Sequence, residues 1–438
     1  MACHAENATP ILPLDIFGGK LLTSWIGSIE NPTDHLCIRQ YISVSTRWCN
    51  GNTRVFGTLV QGSSPCRVVL VRRFHVVELT RLPLVAGVNL FFLTRRTIST
   101  LFPPMPKAVV LFSGGLDSLL TLFTLQKLGV EVTALNIMTP LHDVSEAACE
   151  RAAKYGFPIL LRQVGEHYAD LILHPKWGYG SNINPCLDCR VEMLRIAKQV
   201  MKEIRANFIA TGEIAGQRPN SQKMHQLALI AREADVVDIL VRPLSAKALY
   251  PTKVERDGLL DREQLHGFTG RGRVPLLQIA KEFGIEDIPQ PASGCFLCEK
   301  TFAPRVLDLI RHMPRPTCWD FETLRYGRAI RIDENVRIIV ARQSENCHRL
   351  VTMFERADRQ PCALLEPENF HGPALLLVGN FDETHLQLAG SLLLRFTNAT
   401  RFDPSNAFAR VRTFQQNYLT DEIRQIAPSE KAVTFRCY

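Results

Sequence analysis

The chain has no long apolar run. Nowhere in its 438 residues do the roughly 18 apolar positions of a membrane-spanning helix follow one another. The nearest approach, Leu82–Leu93, is too short and is bracketed by Arg81 and Arg95. A secretory signal is missing as well. Internal repeats and low-complexity tracts are missing, which sets aside solenoid and fibrous designs. His142, His167 and His174 stand without the spaced partners a metal site needs. Charge of one sign is not in strong excess: 51 basic against 43 acidic residues leave a net +8. That suits a polyanion such as RNA without establishing one. At 46% hydrophobic, the chain can bury a core. Cysteine is not scarce, at 13 residues, an odd number. Without export or spanning signals the expected setting is cytoplasmic and reducing, with no membrane partner. There, paired cysteines mean metal or redox chemistry more often than structural disulfides.

Two kinds of sequence meet near residue 105. Residues 1–104 lack sustained helical periodicity. Within them, Arg47-Trp48-Cys49-Asn50-Gly51-Asn52-Thr53-Arg54 and Gly62-Ser63-Ser64-Pro65-Cys66 read like a translated tRNA gene. Trp-Cys-Asn-Gly-Asn-Thr back-translates to a D-arm-like TGG TGT AAT GGT AAC ACG, and Gly-Ser-Ser-Pro to a T-arm-like GGT TCG AGT CCC. The expectation is a spurious or disordered extension over 1–104, with translation starting at Met105; the competing reading is a divergent N-terminal domain. A coding strand with no tRNA gene upstream of Met105 refutes the first.

From Met105 onward, apolar strands alternate with helices. Strands are expected at Lys107–Phe112, Val130–Ile137, Pro158–Val164 and Phe208–Thr211, and helices at Leu119–Leu128, Ser145–Tyr155 and Pro185–Ile204. That order predicts an α/β domain, a parallel sheet flanked by helices, over 105–300. Short strand candidates at Arg328–Ile332, Val336–Ala341 and Ala363–Pro367, with a helix at Thr384–Leu394, predict a small separate α+β module over 301–400. Residues 401–438 read as a tail.

Ser113-Gly114-Gly115-Leu116-Asp117-Ser118 lies between a strand and a helix. Glycines let backbone approach phosphate oxygens, and the free N–H groups of a helix start favour an anion. Ser113 and Ser118 add hydroxyl donors. An aspartate among phosphates implies a bridging cation, so Asp117 points to Mg²⁺. The Gly-Lys-[Ser/Thr] ending of a Walker A loop is absent. A second loop, Thr211–Gln222, follows a buried strand. Its Gly212 allows a tight turn, and Gln217, Arg218, Ser221 and Gln222 can contact phosphate or an acyl oxygen; a polar surface loop is the alternative. Arg242–Lys247 and Gly270–Arg273 are basic loops that either meet RNA phosphates or are solvated.

Asn184-Pro185-Cys186-Leu187-Asp188-Cys189 opens a helix, where the dipole favours thiolates, and Ser293-Gly294-Cys295-Phe296-Leu297-Cys298 supplies a second pair. Three arrangements compete: zinc on both pairs, a persulfide with a resolving thiol drawn from Cys186 or Cys189 and Cys295, or a [4Fe–4S] cluster on Cys186, Cys189 and Cys295.

The loop Ser113–Ser118 resembles the signature of the PP-loop ATP pyrophosphatases, which split ATP into AMP and pyrophosphate. Gly212-Glu213, Gly216-Gln217 and Ser221-Gln222 are similar to the second motif of tRNA 4-thiouridine synthases of the ThiI type. Asn-Pro-Cys-x-x-Cys with a later Gly-Cys resembles the cysteines of cluster-dependent tRNA thiolases, in which Cys298 would be an extra residue. Val340–Asn346, Leu364–Pro367 and Gly372-Pro373 resemble the small RNA-binding domain of NFACT proteins, with Ala341-Arg342-Gln343 where Gly-Arg-Asn is usual. Arg328, Arg331, Arg337 and Arg342 are candidate phosphate contacts. No THUMP domain is recognisable ahead of the PP-loop, a departure from the full-length ThiI pattern. The resemblance implies an ATP-dependent tRNA sulfurtransferase making 4-thiouridine or 2-thiouridine. ATP and Mg²⁺ would sit at Ser113, Gly114, Gly115, Asp117, Ser118, Gly212, Gln217, Arg218 and Ser221. Sulfur from a persulfide carrier or sulfide would pass through Cys186, Cys189 and Cys295. A small-molecule PP-loop ligase and a non-catalytic tRNA-binding protein are the alternatives.

Overall fold

The computed structural model describes residues 105–142, 145–289, 295–398 and 403–437. Earlier in the chain it describes the backbone of two short antiparallel pairs, Leu22–Ser24 with Ser43–Ser45 and Val68–Arg72 with His75–Leu79. The expectations placed on Arg47–Arg54, Gly62–Cys66, Ser293 and Gly294 lie outside the described residues. The chain divides into two units, Met1–Phe102 and Pro103–Tyr438; the second carries the site.

Its first sheet has five strands, all parallel: β1 (Lys107–Leu111), β2 (Glu131–Met138), β3 (Ile159–Gln163), β4 (Phe208–Thr211) and β5 (Leu240–Val241), in the order β3-β2-β1-β4-β5. Strand side chains alternate between faces. Val109, Leu111 and Ile209 point one way, into a core with Val191, Leu194 and Ala197 of α4 (Cys186–Glu203). Ala108, Val110, Phe208 and Ala210 point the other way, onto Leu119, Leu122 and Leu125 of α1 (Leu116–Lys127) and Ala148 and Ala152 of α2 (Ser145–Lys154). Burial on both faces explains why these strands read as unbroken apolar runs. Helix α3 (His167–Leu173) connects β3 towards α4, and α5 (Met224–Glu233), α6 (Lys253–Arg256) and α7 (Val274–Glu282) follow β4.

A second sheet has six strands, all antiparallel: β6 (Arg328–Arg331), β7 (Val336–Ala341), β8 (Cys362–Pro367), β9 (Ala374–Gly379), β10 (Ala407–Gln415) and β11 (Tyr418–Ile426), in the order β6-β7-β9-β8-β10-β11. One face packs on α11 (Glu383–Arg395) through Leu386, Ala389, Leu392 and Leu393. The other turns Ile339, Leu364 and Leu376 towards α10 (Ser344–Glu355) and joins the same apolar cluster as Val109 and Leu194. Helices α8 (Ala303–His312) and α9 (Cys318–Thr323) fill this junction, with Trp319 fully buried and its Nε1 donating to the Met353 carbonyl at 2.9 Å. The small α+β module is thus present as a separate antiparallel sheet, and one apolar cluster spans its junction with the parallel-sheet domain.

Residues 407–426 depart from the expected tail. Ala407, Ala409 and Val411 alternate into the core, and β10 pairs with β8 from Cys362↔Phe414 to Pro367↔Ala409. Strand β11 is an edge with few buried residues, so its polar text hides the strand. The turn between them, Gln416-Asn417, has φ of 50° and 64°, the doubly positive pair of a type I′ hairpin.

Candidate active site

In a sheet of order β3-β2-β1-β4-β5 the chain reverses direction between β1 and β4. The crevice beyond their carboxyl ends is where open α/β sheets hold ligands. The loops leaving these two strands are Phe112–Gly115 and Gly212–Gln222, so the topology brings the two sequence motifs together.

The first loop turns through Gly114, at φ +74°, and a side chain there would press on the Ala148 backbone at 3.2 Å. Arg151 of α2 donates from Nη1 to the Gly114 carbonyl. Buried Asn136 of β2 donates from Nδ2 to the Phe112 carbonyl at 2.8 Å. Its Oδ1 is a buried acceptor with no hydrogen-bond partner among the described residues. Neither Asn136 nor Arg151 belongs to a motif, so nothing in the sequence marks them. Gly115 is the N-cap of α1 and offers no capping side chain, leaving the first-turn N–H groups for an anion. Ser118 is buried, and its Oγ donates to the Gly115 carbonyl at 2.9 Å. That bond braces the turn. Ser113 is exposed.

The second loop packs directly on the first. A Cβ on Gly212 would lie 2.6 Å from the Asp117 carbonyl carbon and 2.7 Å from Ser118 N. Gln217 Nε2 donates to Asp117 Oδ2 at 3.0 Å. Burial raises the Asp117 pKa, against the Gln217 bond and the charges of Arg218 and Arg273. A divalent cation beside this carboxylate would reverse that penalty. Arg218 is exposed, while Ser221 and Gln222 are buried. Gln222 holds the loop's shape: its Oε1 accepts from Arg218 N at 3.1 Å and its carbonyl from Gly216 N at 2.7 Å.

Glu213 anchors the loop from below. It is 3% exposed, with Oε2 3.0 Å from Arg242 Nε and Oε1 3.8 Å from Arg190 Nε. Burial works to raise its pKa, but the Arg242 and Arg190 charges win and hold it below the usual carboxylate range. Arg242, expected in a basic loop that either meets RNA phosphates or is solvated, is thus a buried structural cation. Ser245 is fully buried too, its Oγ accepting from Ala215 N at 3.1 Å and donating to the Phe268 carbonyl at 2.7 Å.

The cysteines gather beside these loops. Asn184 Nδ2 donates to Cys186 Sγ at 2.9 Å, and the Tyr168 hydroxyl donates to Cys189 Sγ at 3.0 Å. Phe296 N bonds the Leu141 carbonyl at 3.1 Å, hanging the Phe296–Cys298 turn over the carboxyl end of β2. Cys298 comes within hydrogen-bond reach of both Cys186 and Cys295. The helix start was expected to favour a Cys186 thiolate; instead the Cys298 hydrogen bond and burial push the Cys186 thiol up. Cys189 is also pushed up by burial, against the Tyr168 bond. Among the described residues no group of three or more His, Cys, Asp or Glu is arranged to hold a metal.

Two family models match the chain. Residues 105–247 match that of the thiamine biosynthesis protein ThiI, and residues 327–431 that of the NFACT protein RNA-binding domain. Residues 105–247, which hold both loops of the site, are thus similar to ThiI. A tRNA sulfurtransferase of Desulfurococcus amylolyticus is 28% identical over 146 residues, covering 32% of this chain and 29% of that protein. The chain thus spans under a third of this relative's length. Among solved structures, a predicted subunit of tRNA methyltransferase from Methanocaldococcus jannaschii aligns at 22% identity and TM-score 0.29, over 43% of this chain and 82% of its own. A 4-thiouridine synthetase–RNA complex with bound ATP aligns at 24% and 0.29, over 41% of each chain.

In the NFACT-type domain the candidate arginines divide. Arg331 pairs with Asp308, its Nε donating to Oδ2 at 3.1 Å, and Arg337 is buried against Asp320 at 2.7 Å. Both are structural, contrary to their expected contact with phosphate. Arg328 and Arg342 are exposed. No helix among the described residues is long and apolar enough to cross a membrane.

Proposed function

We propose that the chain is an ATP-dependent tRNA sulfurtransferase. The observation that carries this reading is the second loop, which bonds on one side to the phosphate loop, Gln217 Nε2 donating to Asp117 Oδ2 at 3.0 Å, and on the other to the segment leading into Cys186, Asn220 Nδ2 donating to Ser181 Oγ at 3.1 Å. The phosphate loop and the thiols are therefore tied together through one loop.

ATP phosphates would bind at the free N–H groups of α1, cradled by Ser113, Gly114 and Gly115, with Ser118 bracing the turn. Asp117 is the carboxylate that would hold Mg²⁺, which when bound neutralises the phosphate oxygens. Gln217 orients Asp117. Arg218 is free to stabilise charge growing on the α-phosphate, and buried Ser221 supports the loop that presents it. A uridine oxygen attacks that phosphorus and pyrophosphate leaves. The adenylated carbon then accepts a sulfur nucleophile and releases AMP. The sulfur would come from a persulfide carrier or sulfide by way of Cys186, Cys189 and Cys295, and the product would carry sulfur at carbon 2 or carbon 4. The NFACT-type domain would hold the tRNA, with Arg328 and Arg342 on its phosphates.

Replacing Cys186 or Cys295 with serine tests the division of labour. Thiolation should be lost while ATP affinity stays within about twofold, because the Cys186 thiol is held by Asn184 rather than by the phosphate loop. A parallel loss of ATP binding would show the cysteines to be structural.

A further inference from the structure

One basic loop takes no part in the chemistry above. Gly270-Arg271-Gly272-Arg273 leads into α7 and lies against the crevice. Thr269 bridges Ala215 in parallel, and Gly270 N donates to the Ala215 carbonyl at 2.8 Å. Gly216, at φ +79°, comes so close that a Cβ on it would lie 3.5 Å from Gly270 N. The loop is thereby stapled to the second loop immediately before Gln217, the residue that holds Asp117. Its two arginines differ. Arg273 is half-buried, and its Nη2 donates to the Pro289 carbonyl at 3.2 Å. Arg271 is exposed, and its guanidinium has no partner among the described residues. A Cβ on Gly270 or Gly272 would meet nothing within 4 Å, so the backbone on either side of Arg271 is open to an approaching molecule. Just past Arg273, Val274 is 76% exposed, and Leu277, one turn on, is 37% exposed.

We propose that Arg271 binds a backbone phosphate of the RNA strand that presents the target nucleoside to the crevice, with Val274 and Leu277 receiving the apolar face of the adjoining sugar or base. This rests on the reading of tRNA as the substrate. An exposed guanidinium without an internal counter-charge gives up no ion pair when an anion arrives. Two sources of phosphate come to this crevice, ATP and the RNA backbone, and the surroundings of Arg271 fit the second. The anion site for ATP is already made by the α1 N–H groups and Arg218. Of the two arginines in the loop, the less exposed Arg273 is the one whose charge reaches Asp117. An apolar step beside a lone cation matches a nucleotide strand, in which charged backbone alternates with sugar and base faces; a triphosphate is charged throughout. A phosphate held at Arg271 fixes the strand in register on the second loop without reading its sequence.

The salt dependence of tRNA binding tests this. Affinity is followed by fluorescence anisotropy across about 50–200 mM salt for the full-length wild type, Arg271→Gln and Arg271→Lys, with melting temperatures confirming the fold. A lost phosphate contact releases fewer counterions, so Arg271→Gln should make the slope of log affinity against log salt shallower by about one. Arg271→Lys keeps the charge and should keep the slope. ATP affinity should move by less than about twofold in both variants. Pyrophosphate release by Arg271→Gln should need severalfold more tRNA to reach its half-maximum. An unchanged slope in Arg271→Gln, or a slope lost equally in Arg271→Lys, overturns the contact. An unchanged slope with weakened ATP binding overturns it in favour of the ATP phosphates. A wild type that binds no tRNA overturns both the contact and the reading it rests on. If the wild type binds tRNA but releases pyrophosphate without regard to it, the sulfurtransferase reading fails, while the salt slopes still decide whether Arg271 meets RNA.

Discussion

Gly212 shows most directly how one residue sets the site. Its missing Cβ is what lets the second loop lie on the Asp117–Ser118 backbone. Gly212→Ala forces these loops apart; stability should fall by about 1–3 kcal/mol, as overpacking does, and ATP affinity should fall with it. Equilibrium unfolding and nucleotide titration of the variant check this. Glu213 makes a second case. Glu213→Gln leaves Arg242 buried without its counter-charge and should cost about 3–5 kcal/mol at neutral pH. The Glu213 carboxylate is held below its unfolded pKa, so its stabilisation is full above the usual glutamate range and lost as pH falls through the folded value. Urea midpoints of wild type and Glu213→Gln should therefore converge in acid. The thiols carry the opposite pH signature. Cys186 and Cys298 are held above the ordinary cysteine value, Cys298 because its bond to Cys295 and burial outweigh the bond from Cys186. Loading of sulfane sulfur onto the reduced protein should keep rising beyond pH 9. A plateau near neutrality, followed by mass spectrometry of the loaded protein, would contradict the buried thiol group.

At the scale of elements, β1, β2, β4 and α4 were legible because burial on both faces writes long apolar runs, and because Gly129 and Gly156 punctuate the helices. The order β3-β2-β1-β4-β5 was not, since sheet order leaves no local trace. The same gap hid the place of Cys298: C-x-x-C spacing reports neighbours along the chain, whereas Asn182 ties the Cys298 carbonyl to the loop leading into Cys186. The β10–β11 hairpin was missed for a different reason. Its turn is Gln416-Asn417 rather than the Asn-Gly that signals a type I′ turn, and its edge strand is largely polar. Asn417 tolerates φ of 64°, but a β-branched residue does not. Asn417→Val should destabilise by about 1–2 kcal/mol and Asn417→Gly should not. Equal unfolding midpoints for the two variants would mean the turn is not formed as described.

For the molecule as a whole, the shared cluster running from Val109 and Leu194 to Ile339, Leu364 and Leu376 makes the two sheets one cooperative body. Core amides of β1 and β7 should exchange hydrogen with the same opening free energy; widely different values would mean the sheets open independently. On the proposed function, that coupling would let an RNA held on the second sheet address a nucleotide loop on the first. The central claim is that ATP activation and sulfur delivery serve one tRNA substrate, and pyrophosphate release measured with and without tRNA addresses it most directly. The account predicts release that tRNA stimulates, with thiouridine appearing in digests of the same tRNA when a sulfane donor is present. Release stimulated by a small molecule and indifferent to tRNA, or no release at all, would contradict it.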